Sequence, residues 1–98
     1  CISAIESLAA GLYSIVTNFG ALYETCAEFP MYVTYTKDLK ILSQTFAAAI
    51  EMAAETLHEN AIQDSLDMQQ AFYKKYYNWD KKAMEWNNFL YNVINAKK

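Results

Sequence analysis

The sequence predicts an all-α protein, a three-helix antiparallel bundle with helices at about 2–29, 37–58 and 64–96. Three observations predict it. Two glycines and one proline in 98 residues leave few of the turns that β-sheets need. Apolar types make up 54% of the chain, enough for one modest core. Apolar residues also recur at spacings of three and four along most of the length, which is helical periodicity. Residues 1–98 are therefore expected to form a single helical domain.

The first predicted helix, 2–29, follows one long apolar pattern. Its members are Ile5, Leu8, Leu12, Ile15, Phe19, Leu22, Cys26 and Phe29. Gly11 and Gly20 interrupt the helix, each at a cost of about 1 kcal/mol relative to alanine, but the pattern keeps its phase across both. We therefore expect one continuous helix. It ends before Pro30, because the residue preceding a proline is pushed out of the α region. Residues 31–36 are expected to form an extended connector.

The remainder of the chain, 37–98, contains no glycine and no proline. It carries two apolar patterns that differ in phase, and the slip falls within residues 58–64. Either a turn separates two helices there or one long helix absorbs a stutter, and the turn is preferred. The later pattern is called here the aromatic seam, and it consists of Phe72, Tyr76, Trp79, Ala83, Trp86, Leu90 and Val93.

A second apolar row lies beside the aromatic seam on the last predicted helix. This tyrosine–methionine row consists of Tyr73, Tyr77, Met84, Tyr91 and Ile94. Tyrosine, tryptophan and methionine are typical of the cores of protein interfaces. Three interpretations fit the row: a broad core face, a surface for a partner helix or a second copy, or a membrane-surface contact. The leading expectation is that the fold hides the aromatic seam and leaves the tyrosine–methionine row free, so that the bundle is completed by a partner or by self-association.

Charge is distributed unevenly. The net charge of −3 argues against a general nucleic-acid binder, yet residues 71–98 hold six of the eight basic residues. Four of these form a group called here the lysine group, at Lys74, Lys75, Lys81 and Lys82. The group either complements the acidic first two helices or contacts an anionic surface, since a lysine near anionic lipid is worth about 1 kcal/mol.

No catalytic arrangement is evident, so the chain is predicted not to be an enzyme and to carry no cofactor. One weak metal pattern is the E-x-x-H spacing of Glu55 and His58, which four-helix di-iron sites use. A homodimer would supply two copies, with Glu24 or Glu28 as further carboxylates. The inward pattern of this helix turns Glu55 toward solvent, so no metal site is predicted.

Cysteine usage and the absence of a signal peptide predict an intracellular protein. Cys1 and Cys26 would lie about 37 Å apart on one straight helix, too far to pair, which favours reduced thiols. The uncharged run at 7–23 is shorter than the about 20 apolar residues of a membrane span. It is interpreted as a core helix.

Three short stretches resemble the BAR helices of sorting nexins. They are Ile5-Glu6-Ser7-Leu8 with Leu12-Tyr13, then Ala27-Glu28-Phe29, and Leu57-His58-Glu59-Asn60-Ala61 with Asp64. The likeness covers about 60 residues, although Pro30 falls where that family's helix continues and the chain has no arginine. The resemblance implies dimerisation and binding to curved anionic membranes. From the residues themselves, the leading prediction is a non-catalytic helical module for protein–protein interaction or assembly. A membrane-surface-binding dimeric domain of BAR type is the alternative.

Overall fold

The computed structural model describes residues 1–96 and shows a mostly helical chain with one small sheet. The elements in chain order are α1 (Ile2–Ala9), β1 (Ile15–Thr17), α2 (Leu22–Cys26), β2 (Met31–Val33), α3 (Leu39–Thr56), α4 (Asn60–Tyr76) and α5 (Trp79–Ala96). The predicted helical character is confirmed. The predicted all-α bundle of three helices is not, because two of the predicted helices are broken and a pair of strands is present.

The predicted helix at 2–29 is replaced by two short helices and a strand. Gly11 and Gly20 have φ angles of +78° and +64°, and Ala27 has a φ of +53°. A right-handed helix requires negative φ at every position, so no continuous helix passes through any of these three residues. The apolar spacing persists through this region, but its residues belong to separate elements. Leu8 and Cys26 enter a common core, whereas Leu12 and Phe19 are exposed.

The expected connector at 31–36 contains β2, which pairs in parallel with β1. The register places Ile15 opposite Met31 and Thr17 opposite Val33. Parallel strands need a crossover between them, and α2 lies in that crossover. Val33 is buried, and α3 packs across the sheet. The two-stranded sheet and α3 thus form two layers that pack against each other.

A second packed region joins α1 to α4. Its buried side chains are Leu8, Cys26 and Tyr73, and the phenol of Tyr73 donates a hydrogen bond to the Thr25 carbonyl at 2.7 Å. Gln69 is also buried, and its Nε2 donates to the carbonyls of Leu8 at 3.0 Å and Leu12 at 2.9 Å. The last carbonyls of a helix have no partner within it, so Gln69 satisfies the end of α1 from α4.

A turn separates the second predicted helix from the rest, as preferred, but it occupies residues 57–59, and residues 60–64 are helical rather than part of the turn. α3 ends at Thr56 and α4 begins at Asn60. Gln63 closes the turn by donating from its side chain to the Leu57 carbonyl at 2.6 Å. The predicted second helix at 37–58 is therefore close to α3 in extent.

The predicted third helix at 64–96 is two helices that share one capping residue, Asn78. Its Oδ1 accepts a hydrogen bond from the Lys81 amide at 2.7 Å, the position expected of a helix N-cap. Its Nδ2 donates to the carbonyls of Lys74 at 3.0 Å and Lys75 at 3.3 Å, at the end of α4. One side chain thus closes α4 and starts α5, and the helical phase changes between them.

Candidate interaction surface

The main candidate site is α5, because nothing else within residues 1–96 packs along it. The other helices and strands make at most isolated contacts with this helix. Every residue from 83 to 96 is exposed. At 1.5 Å per residue its 18 residues span about 27 Å. An isolated helix of this length is only marginally stable in water, and most helical stability in proteins comes from a packed apolar face.

That apolar face is wide and uncovered. On the part of the aromatic seam that belongs to α5, Trp79 is 83% exposed, Trp86 62% and Leu90 50%. At about 100° per residue, the apolar side chains of α5 occupy more than half of the helix circumference. A core-facing helix normally buries such a stripe, so the structure leaves a surface of the kind that a partner covers.

The tyrosine–methionine row divides at Asn78. Tyr73 is fully buried within its own chain, so its assignment to a partner interface is corrected: it is a core residue. Tyr77 is half-buried and stacks on Tyr73 with ring centroids 4.9 Å apart. The other three members remain exposed on α5, at 67% for Met84, 66% for Tyr91 and 61% for Ile94.

The roles of the two rows are therefore exchanged on α4. The row expected to be free supplies the buried Tyr73, whereas Phe72 and Tyr76, members of the aromatic seam, are each 37% exposed. On α5 neither row is covered by the chain. The expectation that the fold hides one of the two is wrong for this helix, because the break at Asn78 carries α5 away from the core.

The lysine group gathers at the corner between α4 and α5. Lys75 and Lys81 place their Nζ atoms 5.2 and 4.5 Å from the Tyr76 ring centroid. Lys82 Nζ lies 4.9 Å from the Tyr77 ring centroid and 3.1 Å from Glu85 Oε2. A cation near an aromatic face is attracted to its quadrupole, so part of this positive charge is engaged within the chain. Lys74 is exposed on the same corner.

A cleft opens beside the first turn of α5. It has a volume of about 180 Å³, and its apolar walls are Ile2, Ile5, Ala9, Tyr77 and Trp79. Glu6, Asn78 and Lys82 are its polar lining residues. Because Trp79 and Lys82 both line it, the cleft lies on the same side of α5 as the aromatic seam.

The molecule exposes more area than a compact chain of its mass. Its accessible surface is 7502 Å², whereas a compact monomer of 11.2 kDa is expected to expose about 5,700 Å². The radius of gyration is 17.4 Å, against about 13 Å for a compact domain of this length. A standard protein–protein interface takes about 800 Å² from each partner. The excess is therefore large enough to supply one.

The weak metal pattern does not come together. Glu55 is on the exposed face of α3, and His58 is exposed in the turn after it. Within residues 1–96 no three histidine, cysteine, aspartate or glutamate side chains lie close enough to hold a metal ion. Cys1 is exposed and Cys26 is buried, and both are free thiols. The burial of Cys26 raises the pKa of its thiol.

No helix within the described residues is both long enough and apolar enough to cross a membrane.

Two residues that hold the helices around this surface in place were not identified from the sequence. Asn78 carries the signal of a helix start, because a capping asparagine is followed at Asp80 by an acid in the first turn. The unbroken apolar pattern on either side outweighed that signal. Gln69 has no comparable sign, since its role depends on carbonyls about 60 residues away in the chain.

Comparisons of the chain with protein families, with curated proteins and with solved structures find no match. The resemblance to sorting-nexin BAR helices remains a prediction.

Proposed function

We propose that the protein is a non-catalytic helical module for protein–protein interaction or assembly, and that α5 is its binding surface. The observation that carries the proposal is an 18-residue helix whose aromatic and aliphatic side chains lie in water. Monomeric proteins seldom expose contiguous apolar patches beyond a few hundred Å². Covering this surface by a partner stabilises the helix itself as well as the complex.

The composition of α5 favours a protein partner over a lipid surface. Interfacial membrane helices carry many lysines or arginines on the polar face. On α5 the polar positions include four asparagines, at 87, 88, 92 and 95. Lys81 and Lys82 are balanced by Asp80 and Glu85, so residues 79–96 have no net charge. Tryptophan and tyrosine, by contrast, are the residues most enriched among the energetically dominant positions of protein interfaces.

The proposal is tested by the native size of the chain in extracts of the cells that produce it. Two alanine variants form a matched pair. Ala83→Glu places a charge on the aromatic seam, whereas Ala71→Glu places the same charge at an exposed position of α4. We expect the wild type and Ala71→Glu to elute above the monomer mass and Ala83→Glu to elute as a monomer. Co-elution of all three species would refute the proposal.

A membrane-surface role of BAR type is the second candidate, drawn from the exposed corner where the lysine group adjoins Trp79. Co-sedimentation with vesicles of anionic lipid separates the two functions. The interaction module is expected to stay in the supernatant. Salt-sensitive binding that disappears when Lys74, Lys75, Lys81 and Lys82 are changed to glutamine would replace the first proposal with the second.

A further inference from the structure

We infer that the partner of α5 is α5 of a second copy of this chain, packed antiparallel about a two-fold axis. The inference rests on the proposed function and names the occupant of its surface. Three features support it: the spacing of the aromatic seam, the cleft beside Trp79 and the position of the charges on α5.

The aromatic seam is self-complementary when it is reversed. The seven-residue repeat of the seam has two apolar positions. In an antiparallel pair of helices, each layer of the core contains one of these positions from one helix and the other position from its partner. With the axis between residues 84 and 85, Ala83 of one copy faces Trp86 of the other, and Trp79 faces Leu90. The small side chain of Ala83 leaves room for the large indole opposite, and the arrangement repeats on the other side of the axis.

The same register fills the cleft at the start of α5. Residues 79 and 90 lie opposite each other, so the next turn of the second copy, at Val93, extends past Trp79 toward α1. The cleft walls there are Ile2, Ile5 and Ala9, and Val93 is apolar and exposed in the single chain. The interface therefore extends beyond the two helices onto the folded part of each copy.

The charges on α5 also favour the antiparallel arrangement. All four charged residues of 79–96 fall in its first half, from Asp80 to Glu85, and residues 86–96 carry none. Antiparallel packing sets the charged half of each helix beside the uncharged half of the other. Residues that lie at the same position of the seven-residue repeat, next to the apolar core, then face each other across the interface. This places Asp80 of one copy beside Asn87 of the other.

The first experiment measures mass and tryptophan emission of the purified chain across a micromolar concentration series. Both tryptophans of the sequence lie on the exposed seam of α5, so emission reports on this surface. We expect the mass to approach twice the 11.2 kDa of the monomer, with a shift of emission to shorter wavelength at the same midpoint. Ala83→Glu should weaken association at least 100-fold and keep both tryptophans exposed, whereas Ala71→Glu should behave as the wild type.

The relative orientation of the two helices is tested by two further substitutions of Asn87, which should change the strength of association in opposite directions. In the antiparallel dimer Asn87→Lys meets Asp80, and we expect about fivefold tighter association from two such exposed pairs. Asn87→Asp meets the same carboxylate and should weaken association by a similar factor. A parallel dimer reverses both signs, because residue 87 then flanks Lys82.

The results separate the two proposals. A chain that stays monomeric at every concentration, with unchanged emission, refutes the second copy as partner. If the native assembly nevertheless persists and is lost in Ala83→Glu, the interaction function stands with a different protein on α5. Reversed signs at Asn87 refute the antiparallel arrangement.

Discussion

Replacement of Gln69 by leucine is expected to weaken the joint between α1 and α4. The buried amide donates to the carbonyls of Leu8 and Leu12 at 3.0 and 2.9 Å. Leucine fills similar space but donates nothing, so both hydrogen bonds are lost. The Leu8 carbonyl keeps a second donor in the Gly11 amide at 3.1 Å. The exposed position of Leu12 allows water to reach its carbonyl.

Each intramolecular hydrogen bond contributes about 1 kcal/mol net, and a buried carbonyl left without any partner would cost more. Because neither carbonyl is left wholly unpaired, we expect Gln69→Leu to lower the free energy of unfolding by about 1–2 kcal/mol. With a denaturant slope of about 1 kcal/mol per molar urea, the midpoint should fall by about 1–2 M.

Urea unfolding followed by circular dichroism provides the measurement. The Ala83→Glu background is used so that association does not add to the stability of the folded state. Gln44→Leu is the matched control, because Gln44 is an exposed glutamine on α3 and surface changes are usually within about 0.5 kcal/mol. A Gln69→Leu midpoint equal to that of the control would refute the role given to this side chain.

Two further outcomes follow from Asn78 and Tyr73. Asn78→Ala removes the N-cap of α5 and two donations to the end of α4. The loss of this cap costs about 1–2 kcal/mol, so hydrogen exchange of the backbone amides of α5 should become about tenfold faster. The control Asn92→Ala should leave the exchange rate unchanged or lower it. Equal exchange rates in Asn78→Ala and in the wild type would contradict the capping role. For Tyr73, burial and, to a smaller degree, the neighbouring Cys26, Tyr77 and Tyr32 raise the pKa of the phenol from its usual 10.0 to about 12. The unfolded state ionises first, so this contribution to stability is complete below about pH 10 and is lost as the pH rises toward 12. Urea unfolding between about pH 10 and 12 should show that the free energy of unfolding falls less in Tyr73→Phe than in the wild type. The same dependence of this free energy on pH in both proteins would contradict the assignment.

The helices of the second half were predictable because their determinants are local. α3 and α4 carry apolar residues at helical spacing, and the phase slip between them indicated that a turn separates two helices, although α4 begins at Asn60, four residues before the predicted start at 64. Their ends depend on nearby side chains. Asp38 caps α3 by accepting from the Lys40 amide at 3.0 Å.

The first third was mispredicted because the same apolar spacing fits more than one backbone path. The deciding residues were Gly11, whose positive φ angle follows the end of α1, and Gly20, whose positive φ angle lies between β1 and α2. A periodic apolar pattern does not record whether the backbone between its members is continuous, nor that every member becomes buried, since Leu12 and Phe19 are exposed. The strand pair is beyond local reasoning altogether, since Ile15 and Met31 meet only after the crossover through α2.

The candidate surface was predicted in composition and mispredicted in extent. Met84, Tyr91 and Ile94 are exposed as the pattern indicated. Tyr73 is not, because its position in the core is set by Leu8 and Cys26, far from it in the chain. Asn78 caps the end of α4 and the start of α5, and beyond this junction no residue of α5 is fully buried.

The small core between α1 and α4 also orders events during synthesis. Leu8 and Cys26 leave the ribosome well before the side chain that completes their cluster, because Tyr73 follows 47 residues after Cys26. Gln69 arrives at nearly the same time. Until then the N-terminal third has neither a finished core nor a donor for the end of α1. The nascent chain therefore carries an open apolar segment while the residues between Cys26 and Tyr73 are translated, and this segment closes shortly before α5 emerges.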